Sequence, residues 1–170
     1  MADLLVLRRM LVADVPAVIA LAHRVWHAHY PGIITPEQID YMLEQRYTEQ
    51  RLNVELREPD IVWTVADQDG ALVGFSSVHR VKDEAGGALK IDKLYIEHSL
   101  QRAGIGGRLI ADAKRQAHEA GVGQLMLAVN KHNSQAIAAY QKHGFSVREA
   151  KTTEIGQGFV MDDFIMTCAA

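Results

Sequence analysis

The sequence predicts a mixed α/β (α+β) fold in which helices cover a central sheet. Its hydrophobic residues alternate between strand and helix periodicities, in the order β, two or three helices, β-β-β, α, β, α, β-β. The chain has 170 residues, of which 48% are hydrophobic, and it shows neither repeats nor a linker. These observations predict a single domain over residues 1–170 with a core of ordinary size.

The first element is a strand, predicted over Leu4–Met10. Asp14 offers a side-chain oxygen that we expect to cap the helix that follows, which carries Pro16 in its first turn and ends near Tyr30-Pro31-Gly32. Thr35-Pro36-Glu37-Gln38 has the form of a capping box with proline at the first helical position, and it predicts a second helix. A third, short helix is predicted over Thr48–Arg57.

The middle of the chain predicts three strands. Two β-rich runs meet at Asp69-Gly70, a pair that favours a tight hairpin turn because glycine accepts positive φ. The polar loop KDEAGGA comes next, and Leu89–Glu97 is predicted as the third of these strands.

The last third of the chain alternates helices and strands. A helix over Ile105–Ala120 leads to a strand over Gln124–Asn130, and Gly144 stands where the next helix needs a left-handed C-cap. The remaining predicted elements are a helix over Ser134–His143 and strands over Phe145–Ile155 and Phe159–Cys168.

Composition excludes several function classes. The formal net charge is −3 with Lys and Arg scattered along the chain, which disfavours a nucleic-acid or anionic membrane surface. The single cysteine, Cys168, excludes an internal disulfide and a cysteine-based metal cluster. No leader-like or membrane-spanning run is evident. We therefore expect a soluble, cytoplasmic protein without a nucleic-acid or membrane partner.

The segment HSLQRAGIGGRLI places Gly104, Gly106 and Gly107 where a strand ends and a helix begins. Unpaired N–H groups and the positive end of the helix dipole attract phosphate there, and the missing Cβ atoms let an oxyanion approach the backbone. Arg102 and Arg108 add positive charge. The alternative is that the glycines only pack the helix close to the sheet.

Two common nucleotide motifs do not fit this segment. A Walker A loop ends in Gly-Lys-Ser/Thr, but Gly107 is followed by Arg108-Leu109. A dinucleotide fingerprint needs a third glycine where Leu109 stands, and an acidic residue where the next strand ends in Asn130. The segment therefore indicates a different nucleotide carrier.

Two motifs together carry a family resemblance. Gln101-Arg102-Ala103-Gly104-Ile105-Gly106 matches the Q/R-x-x-G-x-G/A acyl-CoA loop of the GCN5-related N-acetyltransferases (GNAT), and Asn133–Tyr140 followed by His143-Gly144-Phe145 is similar to their second signature. The order of elements also resembles that family over essentially the full chain. Within the family, the chain looks most like the bacterial polyamine and diamine acetyltransferases, and more loosely like the branch that acetylates ribosomal-protein N-termini.

This resemblance implies a fold and a donor. The fold is a mixed, mostly antiparallel sheet of about seven strands with four or so helices. The donor is acetyl-CoA, with its pyrophosphate on the amides of the glycine segment, its pantetheine arm along a strand as a pseudo-strand, and its thioester sulfur near Tyr140. The implied cofactor-binding residues are Leu94, Tyr95, Ile96, Gln101, Arg102, Ala103, Gly104, Ile105, Gly106, Gly107, Arg108, Asn130, Asn133, Ala136 and Tyr140.

Amide formation from an amine needs a proton acceptor and a proton donor. An alkylamine with a pKa of about 10.4 is almost wholly protonated at neutral pH, so a base is useful. Asp92 resembles in position the catalytic glutamate of the histone-acetylating branch but is one methylene shorter, so it would need a bridging water; Glu97 is the second candidate. Asp92 could instead only pair with a neighbouring cation.

Tyr140 is the candidate acid for the leaving thiolate. A tyrosine packed on its helix, with its hydroxyl bonded locally, is the alternative.

The resemblance implies that the first two helices and the last hairpin line the pocket for the acceptor. The candidate substrate-binding residues are Trp26, His27, Tyr30, Tyr41 and the run Phe159–Asp163. The segment HAHYPGIIT suits a lid over a small acceptor, and equally a packed helix corner. Asp162 and Asp163 could attract a cationic amine or simply be solvated. The acceptor is a small-molecule amine or a peptide N-terminus.

Other function classes are kept beside this one. The same fold could serve as an acyl-CoA-binding sensor or interaction module without turnover, and an NAD(P)-dependent oxidoreductase is a weaker alternative. His23 and His27 have metal-binding spacing but no evident third ligand, so no metal is predicted. A homodimer could form through the terminal strand.

Overall fold

The computed structural model describes residues 4–82 and 86–170; residues 83–85 of the predicted loop KDEAGGA and residues 1–3 lie outside this description. The described residues form seven strands and five helices. The strands are β1 (Leu5–Arg9), β2 (Ile61–Gln68), β3 (Ala71–Val81), β4 (Ala88–Ile96), β5 (Gln124–Asn130), β6 (Ser146–Gly156) and β7 (Phe159–Ala169). The helices are α1 (Val15–His29), α2 (Pro36–Arg46), α3 (Glu49–Arg57), α4 (Ile105–Glu119) and α5 (Ser134–Lys142).

The strands form one mixed sheet in the order β1-β2-β3-β4-β5-β7-β6. The pairs β1–β2, β2–β3, β5–β7 and β6–β7 are antiparallel, whereas β4 and β5 are parallel. The predicted fold class and order of elements are confirmed, with three helices between β1 and β2.

The chain divides into two compact units. The first contains Met1–His79 and Lys93–Leu109, and the second contains Arg80–Asp92 and Ile110–Ala170. The strands β3 and β4 and the helix α4 each pass from one unit to the other. A single domain over residues 1–170 stays a prediction.

In the first unit, the predicted hairpin between β2 and β3 is confirmed. Asp69 and Gly70 form its two-residue loop with φ of 53° and 90°, the positive values that such a turn requires. The Gly70 N–H donates to Asp67 Oδ1 at 2.8 Å, which fixes the turn from the end of β2.

The starts of α2 and α3 follow from local side-chain chemistry. Thr35 Oγ1 accepts from the Gln38 N–H at 3.2 Å, and Pro36 occupies the first helical position, as predicted. Thr48 Oγ1 accepts in the same way from the Arg51 N–H at 3.1 Å.

The predicted cap at Asp14 is wrong. Val12–Asp14 is a 3-10 turn before α1, and the Asp14 side chain makes no cap hydrogen bond to that helix. Its carboxylate instead accepts from the Arg8 guanidinium at 2.7 and 3.0 Å and from the Leu11 N–H at 2.7 Å. A bidentate guanidinium is a stronger partner for a carboxylate than a backbone amide is. The hydrogen bond from Arg8 holds the pKa of Asp14 below its usual range.

In the second unit, β5, β7 and β6 pair in that order, so β7 has a neighbour on both sides. Asn130 at the end of β5 lies opposite Asp163 of β7. The predicted C-cap glycine after α5 is confirmed, because Gly144 has φ of 94°. Over residues 163–167, β7 is paired with both β5 and β6 and offers no free edge there; a homodimer stays a prediction.

Candidate active site

The glycine segment lies in the first unit, where α4 begins. The first intrahelical bond runs from the Arg108 N–H to Gly104 O at 3.2 Å. The helix itself therefore gives no partner to the N–H groups of Ile105, Gly106 and Gly107, and the positive end of its dipole is at the same place. These three successive amides are suited to an oxyanion.

The glycines of this segment are needed for different reasons. Gly104 has φ of 85°, which favours glycine whatever the space around it. Gly106 has ordinary helical geometry, and a Cβ built there would meet only Ile96 Cδ1, at 3.5 Å. That is an ordinary contact, so packing of α4 on the sheet does not explain Gly106.

The arginines of the segment have distinct settings. Arg102 is exposed and has φ of 73°, a backbone conformation that residues other than glycine rarely adopt. Arg108 is also exposed, and its Nη1 donates to Leu5 O of β1 at 3.1 Å. A strained backbone such as that of Arg102 is held in place by its surroundings, and residues of this kind concentrate at binding sites.

The second half of β4 presents two different faces. Leu94 and Ile96 pack with Ile105 and Leu109 in a hydrophobic cluster beneath the start of α4. The alternate residues, Lys93 and Tyr95, contact aromatic rings instead. The strand that leads into the glycine segment is therefore tied to α4 on one face.

The first unit contains a connected group of aromatic rings, which we call the aromatic cluster. Trp26 of α1 contacts Tyr30, Tyr47 and Tyr95 at centroid distances of 4.5, 5.9 and 5.6 Å, and Tyr95 contacts Phe75 at 5.8 Å. Trp26, Tyr47 and Phe75 are at most 2% exposed, whereas Tyr30 and Tyr95 are half-buried. The hydroxyls of Tyr30 and Tyr95 are hydrogen-bonded at 2.9 Å.

Sequence reasoning missed a buried ion pair next to the aromatic cluster. Lys93 Nζ lies 3.5 Å from Glu55 Oε1, and both side chains are almost fully buried. The Lys93 ammonium also lies 5.1 Å from the centroid of the Trp63 ring. Its position could have been read from the strand pattern, because Lys93 shares the parity of the buried Ile91.

The two candidate bases both have cationic neighbours. Asp92 Oδ1 lies 4.0 Å from Lys90 Nζ, two residues earlier on β4, as the alternative interpretation of Asp92 expects. Glu97 follows β4, and its Oε2 accepts from Arg24 Nη2 of α1 at 2.9 Å. Its N–H donates to Val73 O of β3 at 2.8 Å.

Tyr140, the candidate acid, lies on α5 in the second unit. Its ring contacts Phe145 edge-on at a centroid distance of 5.7 Å. Burial raises the pKa of the Tyr140 phenol to about 12, because the phenolate is poorly solvated there. The hydroxyl therefore keeps its proton at any physiological pH, as a proton donor must.

The two predicted asparagines both fix backbone turns beside α5. Asn133 is buried and caps this helix, with its Oδ1 accepting from the Ala136 N–H at 3.3 Å. Asn130 Oδ1 accepts from the His132 N–H at 2.9 Å. Both side chains thus fix the connection from β5 to α5, the helix that contains Tyr140.

The acceptor candidates are spread over both units. His27 Nδ1 lies 2.8 Å from His23 O, and its Nε2 lies 3.4 Å from Asp40 Oδ1 of α2. Tyr41 is half-buried on the same helix. In the first unit, the structure thus brings Trp26 together with Tyr30 and Tyr95, and His27 together with α2.

In the second unit, the acidic pair of β7 has two environments. Asp162 accepts from Lys131 Nζ at 2.7 Å and from Thr152 Oγ1 at 3.1 Å, and the Lys131 ammonium lowers the pKa of Asp162. Asp163 is 7% exposed.

The described part of the chain shows neither a metal cluster nor a membrane-spanning helix. Over residues 4–82 and 86–170, no three His, Cys, Asp or Glu side chains are grouped so as to hold a metal ion. Over the same residues, no helix is both long and apolar enough to cross a membrane.

Comparisons with known proteins agree with the motifs. The model of the acetyltransferase (GNAT) family matches residues 22–145. Spermidine N(1)-acetyltransferase of Thermoplasma acidophilum is 25% identical over 160 residues, which cover 92% of this chain and 94% of the relative.

Solved structures are also similar over the whole length. The PaiA N-acetyltransferase of Thermoplasma acidophilum, solved in complex with coenzyme A, has a TM-score of 0.83 at 25% identity and covers 100% of both chains. The ribosomal-protein-S18-alanine N-acetyltransferase of Escherichia coli has a TM-score of 0.72 at 20% identity, covering 98% of this chain and 94% of the other, and shows the fold alone.

Proposed function

The chain belongs to the acetyltransferase (GNAT) family, and from that premise we propose that it transfers the acetyl group of acetyl-CoA to a primary amine of a small cationic molecule. The donor follows from the family. The class of acceptor is supported by the similarity to a spermidine acetyltransferase over nearly the whole chain.

The observation that carries this proposal is the start of α4. Gly106 has room for a Cβ and an ordinary backbone, so neither packing nor conformation accounts for a glycine. A ligand that approaches the amides of Ile105, Gly106 and Gly107 does account for it. We assign the pyrophosphate of the donor to these amides, with Arg102 as the neighbouring cation.

The residues of β4 are proposed to hold the pantetheine arm. Backbone groups of Leu94, Tyr95 and Ile96 would pair with its amides as a further strand does. The packing of Leu94 and Ile96 against α4 supports this role, because it fixes the strand relative to the phosphate-binding amides.

Acetyl-CoA supplies, when bound, an activated thioester carbonyl whose C–S bond breaks as the C–N bond of the amide forms. The base accepts the proton that the attacking amine loses, and Tyr140 Oη donates a proton to the leaving thiolate sulfur. Burial keeps the Tyr140 phenol protonated but makes it a weaker acid, so the site must lower the barrier to this proton transfer.

Asp92 through a water and Glu97 directly are the two candidates for the base. Each has a cation beside it, Lys90 Nζ at 4.0 Å from Asp92 Oδ1 and Arg24 Nη2 at 2.9 Å from Glu97 Oε2.

The test is a thermal-shift titration with acetyl-CoA, free CoA and NAD(P)H in parallel. A ligand at about 100 times its Kd stabilises the folded state by about 2.7 kcal/mol. We expect stabilisation by acetyl-CoA and CoA and none by NAD(P)H. No shift with either CoA species would contradict the assignment of the glycine segment.

A further inference from the structure

The connection between α1 and α2, residues 30–35, is a compact turn fixed at Tyr30. The N–H groups of Ile33 and Ile34 both donate to Tyr30 O, at 2.9 and 3.2 Å. Pro31 and Ile34 form an isolated bridge, and Gly32 has φ of 86°. These hydrogen bonds are local, and both are accepted by Tyr30, the C-cap residue that follows α1.

The Tyr30 side chain connects the turn to β4. Its Oη lies 2.9 Å from Tyr95 Oη, and its ring lies 4.5 Å from the Trp26 ring. Two contacts hold Tyr95 in place. The Tyr95 ring packs on Phe75, and two residues farther along the chain the Glu97 N–H donates to Val73 O of β3. The hydrogen bond between the two hydroxyls therefore joins the turn over residues 30–35 to β4.

The two tyrosines are also the accessible part of the aromatic cluster. Trp26, Tyr47 and Phe75 are buried beneath them. Phenolic oxygens accept hydrogen bonds from an amine or ammonium N–H, and the ring faces attract cations. The pair thus offers both interactions that a cationic acceptor can use.

We propose that the Tyr30–Tyr95 hydroxyl pair determines acceptor specificity, by holding the turn over residues 30–35 against β4 and by presenting phenolic oxygens to the acceptor amine. This inference rests on the proposed function, because it concerns the acceptor of the same reaction. It gives Tyr95 a double role, since its backbone is assigned to the donor and its side chain to the acceptor.

The experiment is a double-mutant cycle of Tyr30→Phe, Tyr95→Phe and the double variant, with spermidine and n-butylamine as acceptors. Each substitution removes one oxygen and keeps the ring. Tyr47→Phe is the matched control, because it removes a hydroxyl from the same aromatic cluster but not from the pair. The measured quantities are kcat, KM for each acceptor, and Kd for acetyl-CoA.

We expect each single variant to raise KM for spermidine about three- to tenfold, the loss that one hydrogen bond carries. The double variant should lose less than the product of the two single losses, because the hydrogen bond between the hydroxyls is already lost in each single variant. Kd for acetyl-CoA should stay within about twofold. Amide hydrogen exchange at Ile33 and Ile34 should be faster in Tyr95→Phe than in Tyr47→Phe.

The two proposals fail in different ways. If the wild type turns over normally but KM for spermidine is unchanged in both single variants, only the role of the pair is overturned. The same holds if the two single losses multiply in the double variant. A wild-type protein that releases no thiol with any amine would overturn the proposed function and, with it, the acceptor role of the pair.

Discussion

At Tyr140, burial has two opposite effects on the proposed acid. Its pKa of about 12 keeps the phenol protonated in the resting protein. The same shift makes transfer of that proton to a thiolate, whose conjugate acid has a pKa of about 8.5, less favourable, so the site must lower the barrier.

Tyr140→Phe should lower kcat by about 100-fold, the scale of general acid catalysis. The ring contact with Phe145 is kept, so Kd for acetyl-CoA should stay nearly unchanged. Steady-state kinetics and calorimetric titration measure the two quantities. Equal kcat values for the variant and the wild type would remove Tyr140 from the mechanism.

The pH profile tests the same residue independently. Because the pKa is raised, deprotonation of Tyr140 begins well above its ordinary value of 10.0. Wild-type kcat should therefore show no alkaline fall due to Tyr140 below pH 10. A fall in that range that disappears in Tyr140→Phe would contradict the assigned environment.

The buried Lys93–Glu55 ion pair is expected to contribute to the stability of the first unit. Removing one partner of a buried ion pair typically costs about 3–5 kcal/mol, so Lys93→Met should lower the free energy of unfolding by about 3 kcal/mol, since Arg51 Nε still contacts Glu55 at 3.1 Å. Urea denaturation measures the loss.

Two further variants check this account of Lys93. The double variant Lys93→Met, Glu55→Gln should be more stable than Lys93→Met, because it removes the buried Glu55 charge, which Lys93→Met leaves with the exposed Arg51 as its partner. Lys90→Met, on the same strand but more exposed, should cost less than about 1 kcal/mol. Equal losses for Lys90→Met and Lys93→Met would contradict the account.

At the scale of elements, the segment before α4 combines strain with charge. An L-residue in the left-handed region is less stable than glycine by roughly 1–2 kcal/mol, and Arg102 is in that region with φ of 73°. A positive side chain is thus kept where glycine would be the more stable residue.

Arg102→Gly should therefore separate stability from binding. The Tm of the ligand-free protein should rise by about 2–4 °C, whereas Kd for acetyl-CoA should rise about five- to tenfold from the lost charged contact. Arg115→Gln, farther along α4 and paired with Asp112 and Glu119, is the control and should leave Kd unchanged. A lower Tm together with an unchanged Kd in Arg102→Gly would contradict this account.

Elements whose chemistry is local could be predicted from the sequence. The Asp69-Gly70 turn, the Thr35 cap and the C-cap at Gly144 each depend on neighbours within a few residues. Asp14 could not be predicted, because its partner Arg8 is brought to it by the 3-10 turn that precedes α1.

At the scale of the whole molecule, order of elements and motif spacing predicted the fold class and the family. The contents of the site could be predicted only in part, because side chains that meet across elements leave no local pattern. The sequence assigned Tyr95 a backbone role alone, and it gave no sign that Glu55 of α3 would pair with Lys93. The Tyr30–Tyr95 bond joins residues 65 positions apart.

We expect this chain to move an acetyl group from acetyl-CoA to a small amine. The most direct test incubates the wild-type protein with acetyl-CoA and spermidine, and follows released thiol and acetylated product together. We expect one thiol to be released for each acetylspermidine formed, and no release without the amine. Binding of acetyl-CoA with no product from spermidine or any other primary amine would contradict it, and would favour an acyl-CoA-binding module of the same fold.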